Sequence, residues 1–130
     1  MTHVARISFK RIRYILLASL LMMASVDADT SEGTASLQND WCREQAGIAG
    51  VTVYKNIRCE CLTDTHAVKF NEASRWAEAI GDALYYSAVT GRKAGIVLIM
   101  NADSDRRYRH RLDDAINGNG LAIDVWEIKP

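Results

Sequence analysis

One proline, eight glycines and three cysteines among 130 residues exclude several protein classes at once. So little proline and glycine removes collagen-like and proline-rich low-complexity chains from consideration. Charge of one sign is also missing: 16 Lys+Arg stand against 16 Asp+Glu, which argues against a dedicated, strongly basic nucleic-acid binder. Long apolar runs are missing too. The longest uncharged apolar stretch, Tyr14 to Val26, has 13 residues, whereas a membrane-spanning helix needs about 20. What is present is ordinary globular material, 48% hydrophobic and 25% charged, too apolar for a largely disordered chain. The length sets one domain as the expectation.

The charge balance is a sum over unlike parts. Residues 1–13 carry Arg6, Lys10, Arg11 and Arg13 and no acid. The apolar stretch follows, and then Val26-Asp27-Ala28, with small or branched residues at the −3 and −1 positions of a cut. A basic start, a short apolar centre and a small-residue site together read as a secretory signal peptide over residues 1–28, cut after Ala28. An uncleaved anchor is the competing reading, and the apolar stretch is too short for it. No cysteine closes that stretch, so a lipid anchor has no attachment point. Periplasmic or secreted localisation follows, with no transmembrane span after cleavage. Residues 29–130 then carry 12 Lys+Arg against 15 Asp+Glu, a net charge of about −3.

Cys42, Cys59 and Cys61 all lie in that exported part, where the compartment is oxidising. Cys59 and Cys61 are two apart on an expected strand, adjacent positions on one face that are poorly placed to bridge each other. Cys42 is left with either of them as a partner, the other remaining a buried thiol. A Cys-x-Cys metal site has only His66 and His110 as further ligands, and neither has zinc-site spacing. Small buried hydrophobes are therefore the preferred reading. A thiol-redox protein would draw on Cys59-Glu60-Cys61 alone, and expected burial beside Val68 and Phe70 argues against it.

Asp29 to Asn39, rich in Ser, Thr, Gly and acid, reads as a flexible linker leading to a domain at residues 40–130. Asp40 is placed to N-cap a short helix over residues 41–45 that stops at Gly47. Residues 48–54 and 57–62 alternate as strands, Thr63-Asp64-Thr65 makes a turn, and residues 66–71 return. From Ala73 the period becomes helical, with Trp76, Ile80, Leu84 and Ala88 in one stripe that ends at Gly91. Residues 94–100 are continuously apolar, as expected of a strand covered on both faces. A second helix spans about residues 105–117, and residues 121–128 form a last strand. The order α-β-β-β-α-β-α-β implies an α/β fold, a mixed central β-sheet flanked by helices.

Alternation along the hairpin sorts its side chains. Cys59, Cys61, Val68 and Phe70 take the core face. Glu60, Lys69 and Asn71 then converge opposite them, and Arg75, Glu78 and Asp82 share one face of the following helix. Acids gathered from a hairpin and a helix are what a hard metal ion requires.

Residues 58–100 carry CLTDTHA at 61–67, WAEAIG at 76–81 and AGIVLI at 94–99. With these runs the segment resembles a bacterial family of the PD-(D/E)XK, restriction-endonuclease-like superfamily, and the likeness extends to residue 128. That family's pattern is D-C-L-T-x-T-H-A on the first strand, E-x-D on the next, and then a K-W-A-E-A-I-G-Q helix. The resemblance implies a restriction-endonuclease-like core in which acids hold Mg²⁺ beside the scissile phosphate and a basic residue helps position water. Here the matching positions are altered. Glu60 stands for the first Asp, Lys69 for the Glu, Asn71 for the second Asp, Arg75 for the helix Lys and Asp82 for the Gln, while Glu78 is kept. Three expected negative charges become none, since Lys69 offsets Glu60 and Asn71 is neutral. Glu60 is left as the one matching metal ligand, with Lys69 expected to pair with it across the hairpin.

The favoured expectation is thus a nuclease-like domain with a degenerate metal site, acting as a non-catalytic binding module for a protein partner or nucleic acid and needing no cofactor. The alternative is a weak or differently configured Mg²⁺-dependent nuclease cleaving phosphodiesters, with Glu60, Lys69, Asn71 and Arg75 as its site and Glu78 and Asp82 in support. Arg106, Arg107, Arg109 and Arg111 are candidate contacts for nucleic acid or another anion. Against that, Asp113 and Asp114 balance them on what reads equally as a solvated helix face.

Overall fold

A computed structural model of the chain describes residues 27–130, with side chains from residue 31 onward. The leader read at 1–28 falls outside the described residues, apart from Asp27 and Ala28, which lie in the first described helix. That helix, α1, spans Asp27–Glu44. Three strands follow, β1 (Ile48–Tyr54), β2 (Ile57–Leu62) and β3 (His66–Glu72). A 3₁₀ turn at Ala73–Arg75 leads into α2 (Trp76–Thr90), then β4 (Lys93–Ile99), α3 (Arg106–Gly118) and β5 (Ile123–Ile128). No helix among the described residues is long and apolar enough to cross a membrane.

The five strands lie in chain order in one sheet. β1, β2 and β3 form an antiparallel meander, whereas β3, β4 and β5 run parallel. The switch follows from connection length. Tight turns join antiparallel neighbours, but parallel neighbours need a crossover, which α2 and α3 provide. The fold is therefore α/β, with a mixed sheet flanked by helices.

Two apolar layers hold the sheet. On one face Ala79 and Ala83 of α2 and Leu112 and Ile116 of α3 pack on Ala94, Ile96 and Leu98 of β4. On the other face Trp41 and Cys42 of α1 cover Cys61, Val68, Phe70 and Val97, with Trp126 and Ile128 beside them. Alternate β4 residues thus feed opposite layers. That is why the strand shows an unbroken apolar run in place of an apolar–polar alternation.

Two expectations at the start of the domain are corrected. Residues 29–39, read as a linker, belong to α1, and Asp40 lies inside that helix, pairing with Arg43 at 2.7 Å, not at its N-cap. The stretch has no proline, and Gly33 is its one strong helix breaker, so nothing forbids continuation. Residues 31–36 are mostly exposed and give no apolar stripe to detect. What anchors the helix is its last turns, through Trp41 and a disulfide from Cys42 to Cys61. After α1 the chain reverses at Ala46 and Gly47. A Cβ on Gly47 would lie 2.7 Å from Cys61 Sγ and 2.8 Å from Cys42 Sγ, so only glycine fits over the disulfide.

Candidate functional site

The ladder between β2 and β3 is short. Only Cys61 with Val68 and Leu62 with Ala67 are paired, and beyond them the strands part. Side chains fill the opening and satisfy the backbone groups it exposes. Glu60 is central: its Oε1 accepts from Lys69 Nζ at 2.7 Å and its Oε2 from the Phe70 N–H at 3.4 Å. Tyr86 of α2 donates its hydroxyl to the Arg58 carbonyl at 3.0 Å and also lies 3.4 Å from Glu60 Oε2. Lys69 Nζ reaches Asp82 of α2 at 3.3 Å. One ammonium therefore sits between two carboxylates, and the lysine side chain is only 14% exposed.

Electrostatics follow from that burial. Desolvation pulls the Lys69 ammonium toward neutrality, but Glu60, and after it Asp82, outweigh this and hold its pKa above the ordinary lysine value. Tyr86 is pushed well above the usual phenol range, first by burial and then by the nearby charge of Glu60 and Asp82. Its hydroxyl is a fixed donor at any physiological pH.

Other candidates are placed differently. Asn71 is buried, and its amide donates to the Arg75 carbonyl at 3.4 Å, at the start of α2, so it does not join Glu60 and Lys69. Arg75 turns outward onto Glu78 with contacts of 2.6 and 3.0 Å, a separate exposed pair. Glu72 accepts from the Asn101 side chain. The structure thus unites Glu60, Lys69 and Asp82 and leaves Asn71, Arg75 and Glu78 outside their cluster.

Tyr86 is the member that sequence reasoning missed. It lies four residues after Asp82, one turn further along the same helix face, so the period already pointed to it.

Cys59 departs from its expected place beside Cys61. It is buried with Ala67 and Tyr86, and its thiol points into the opening, 3.3 Å from the Cys61 carbonyl and 3.8 Å from that of Val68. Burial pushes the thiol pKa up. Cys42 and Cys61 form the disulfide, which settles the open pairing.

His66 also has no role beside the cysteines. Its Nε2 is 2.6 Å from Asp124 of β5 and its Nδ1 is 2.7 Å from the Thr65 hydroxyl. Both ring nitrogens are therefore engaged.

The basic run on α3 is divided. Arg109 is held by Asp113 at 2.9 Å and by Glu127 at 3.1 Å, inside the fold's own ion pairs. Arg107 and Arg111 lie 4.6 and 5.9 Å from the Tyr108 ring centroid, and Arg106 is exposed.

A divalent cation does not fit the opening as built. Its two nearby carboxylates already share an ammonium, which would compete with any metal for them. Among the described residues, no group of three or more His, Cys, Asp or Glu converges as a metal-binding set. No protein-family profile, curated protein or solved structure matches the chain at a significant level.

Proposed function

We propose that the chain is an exported domain of restriction-endonuclease-like descent whose metal site has been replaced by an ion pair, and that it binds a partner without cutting nucleic acid. The observation that carries this reading is Lys69, which stands where the resemblance to the PD-(D/E)XK family calls for a metal-binding acid and bridges Glu60, at another such position, to Asp82 of α2. A meander followed by parallel strands and two crossover helices supports that resemblance. The leader pattern and the Cys42–Cys61 disulfide support an oxidising destination.

Cleavage of phosphodiesters by a differently configured Mg²⁺ site is the second reading, favoured by the approach of Glu60 and Asp82 from two elements. Incubation with DNA and RNA in Mg²⁺ or Mn²⁺ separates the two. The binding-module reading expects intact substrates even at high protein concentration. Cleavage that disappears in Glu60→Gln would establish the nuclease.

A further inference from the structure

Beside the ion-paired cluster lies a cavity of about 350 Å³, lined by Ala35, Gln38 and Asn39 of α1, Gly50 of β1 and Arg58 and Glu60 of β2. Its size lies at the small end of the usual range for small-molecule sites, about 300–1,000 Å³. The residues lining it differ in how far they are already committed. Glu60 is bound by Lys69, the Phe70 N–H and Tyr86. Among the described residues, by contrast, Arg58's guanidinium has no ion pair, and the Gln38 and Asn39 amides have no side-chain partner.

Arg58, an exposed side chain, lies over Gly50. Gly50 lies opposite Glu60, between the pairs Ala49–Cys61 and Val51–Cys59, and its φ of 63° is left-handed. A Cβ there would come within 2.6 Å of Arg58 Nε and 2.7 Å of its Cζ. The missing side chain is the seat of the guanidinium. A planar fork of five donors, set at a cavity wall and lacking an acceptor, matches a carboxylate or a phosphate. Two amides alongside offer both donors and acceptors to the rest of such a molecule. A cation is disfavoured, because Arg58 faces the same space and Glu60 is already neutralised.

We infer that this cavity is a binding site for a small carboxylate- or phosphate-bearing ligand, with Arg58 holding the anion and Gln38 and Asn39 orienting it. This gives the binding module a ligand class and rests on that reading.

The test is a nuclear magnetic resonance titration of the full chain with inorganic phosphate and, separately, with succinate, at constant ionic strength. One of them should produce saturable shifts at Arg58 Nε and the Gln38 and Asn39 amides, with Kd of about 1 mM or tighter. Arg58→Gln should weaken that binding about tenfold or more, as expected for loss of a charge-assisted pair. Gly50→Ala should weaken it as well, although every charge remains, because the guanidinium loses its seat. Gln38→Ala, at a half-buried position of α1, supplies a variant that leaves the sheet untouched and should also lose affinity. Absence of saturation with both anions, full affinity in Arg58→Gln, or shifts confined to Arg106, Arg107 and Arg111 would each overturn the assignment. Nucleic-acid cleavage sensitive to Glu60→Gln would instead overturn the binding-module reading alone.

Discussion

Lys69 decides the electrostatics of the opening between β2 and β3. Its ammonium contacts Glu60 at 2.7 Å and Asp82 at 3.3 Å while largely shielded from water. Exposed ion pairs contribute about 0–1 kcal/mol, and breaking a buried one costs about 3–5 kcal/mol. This partly buried triad belongs between those limits. Lys69→Met leaves two carboxylates facing each other without a counter-charge, and it should lower stability by about 1–3 kcal/mol in urea unfolding at neutral pH. The wild-type contribution also has a defined pH window. A lysine whose pKa is raised on folding gives its full stabilisation below the ordinary lysine value of 10.5, and it loses that only as pH rises through the higher folded value. The difference between wild type and Lys69→Met should therefore hold up to about pH 10 and shrink above it. A difference that vanished already near pH 8 would show that the ammonium is not held by these acids.

The Glu60–Lys69 pair was legible before any coordinates, because alternation across a three-residue turn puts the two side chains together. Asp82 was legible from its place on the helix face. Asn71 was not, since its amide turns to the Arg75 carbonyl, and strand alternation says nothing about where that carbonyl lies.

Among the elements, α1 is the one that sequence pattern described least well. Its first turns are polar on most sides, and its attachment comes from Trp41 and from the Cys42–Cys61 bond to β2. Neither leaves a periodic trace. The strands and the two crossover helices were legible nearly to their ends, because β2 to β5 and both helices bury residues at regular spacing and β1 keeps a β-branched alternation. The disulfide closes a loop with a sequence separation of 19, for which chain-entropy arguments give about 3 kcal/mol. Reduction should accordingly lower the melting temperature of the oxidised protein. Thiol titration checks the pairing itself. Native protein should give no rapidly reacting thiol, because Cys59 is buried with its pKa raised, and unfolding without reductant should expose one. Two or three thiols after such unfolding would remove the tie between α1 and β2.

Across the whole molecule, the even balance of 16 bases and 16 acids conceals two local arrangements. Four of the bases stand within residues 1–13, whereas the β2–β3 opening gathers Glu60, Asp82 and Lys69 into one compact group. A five-stranded mixed sheet with helices on both faces provides the frame that brings a hairpin carboxylate and a helix carboxylate to one point. With an acid at position 69 the opening would hold carboxylates from β2, β3 and α2 and no ammonium among them. With Lys69 it presents an ion pair.

Calorimetric titration with Mn²⁺ tests this most directly, comparing wild type with the double variant Lys69→Glu, Asn71→Asp. The expected result is no saturable heat for the wild type up to about 1 mM, and one-site binding in the double variant as carboxylates replace the ammonium. One-site micromolar binding by the wild-type chain would contradict the proposal that an ion pair centred on Lys69 stands in place of a metal site.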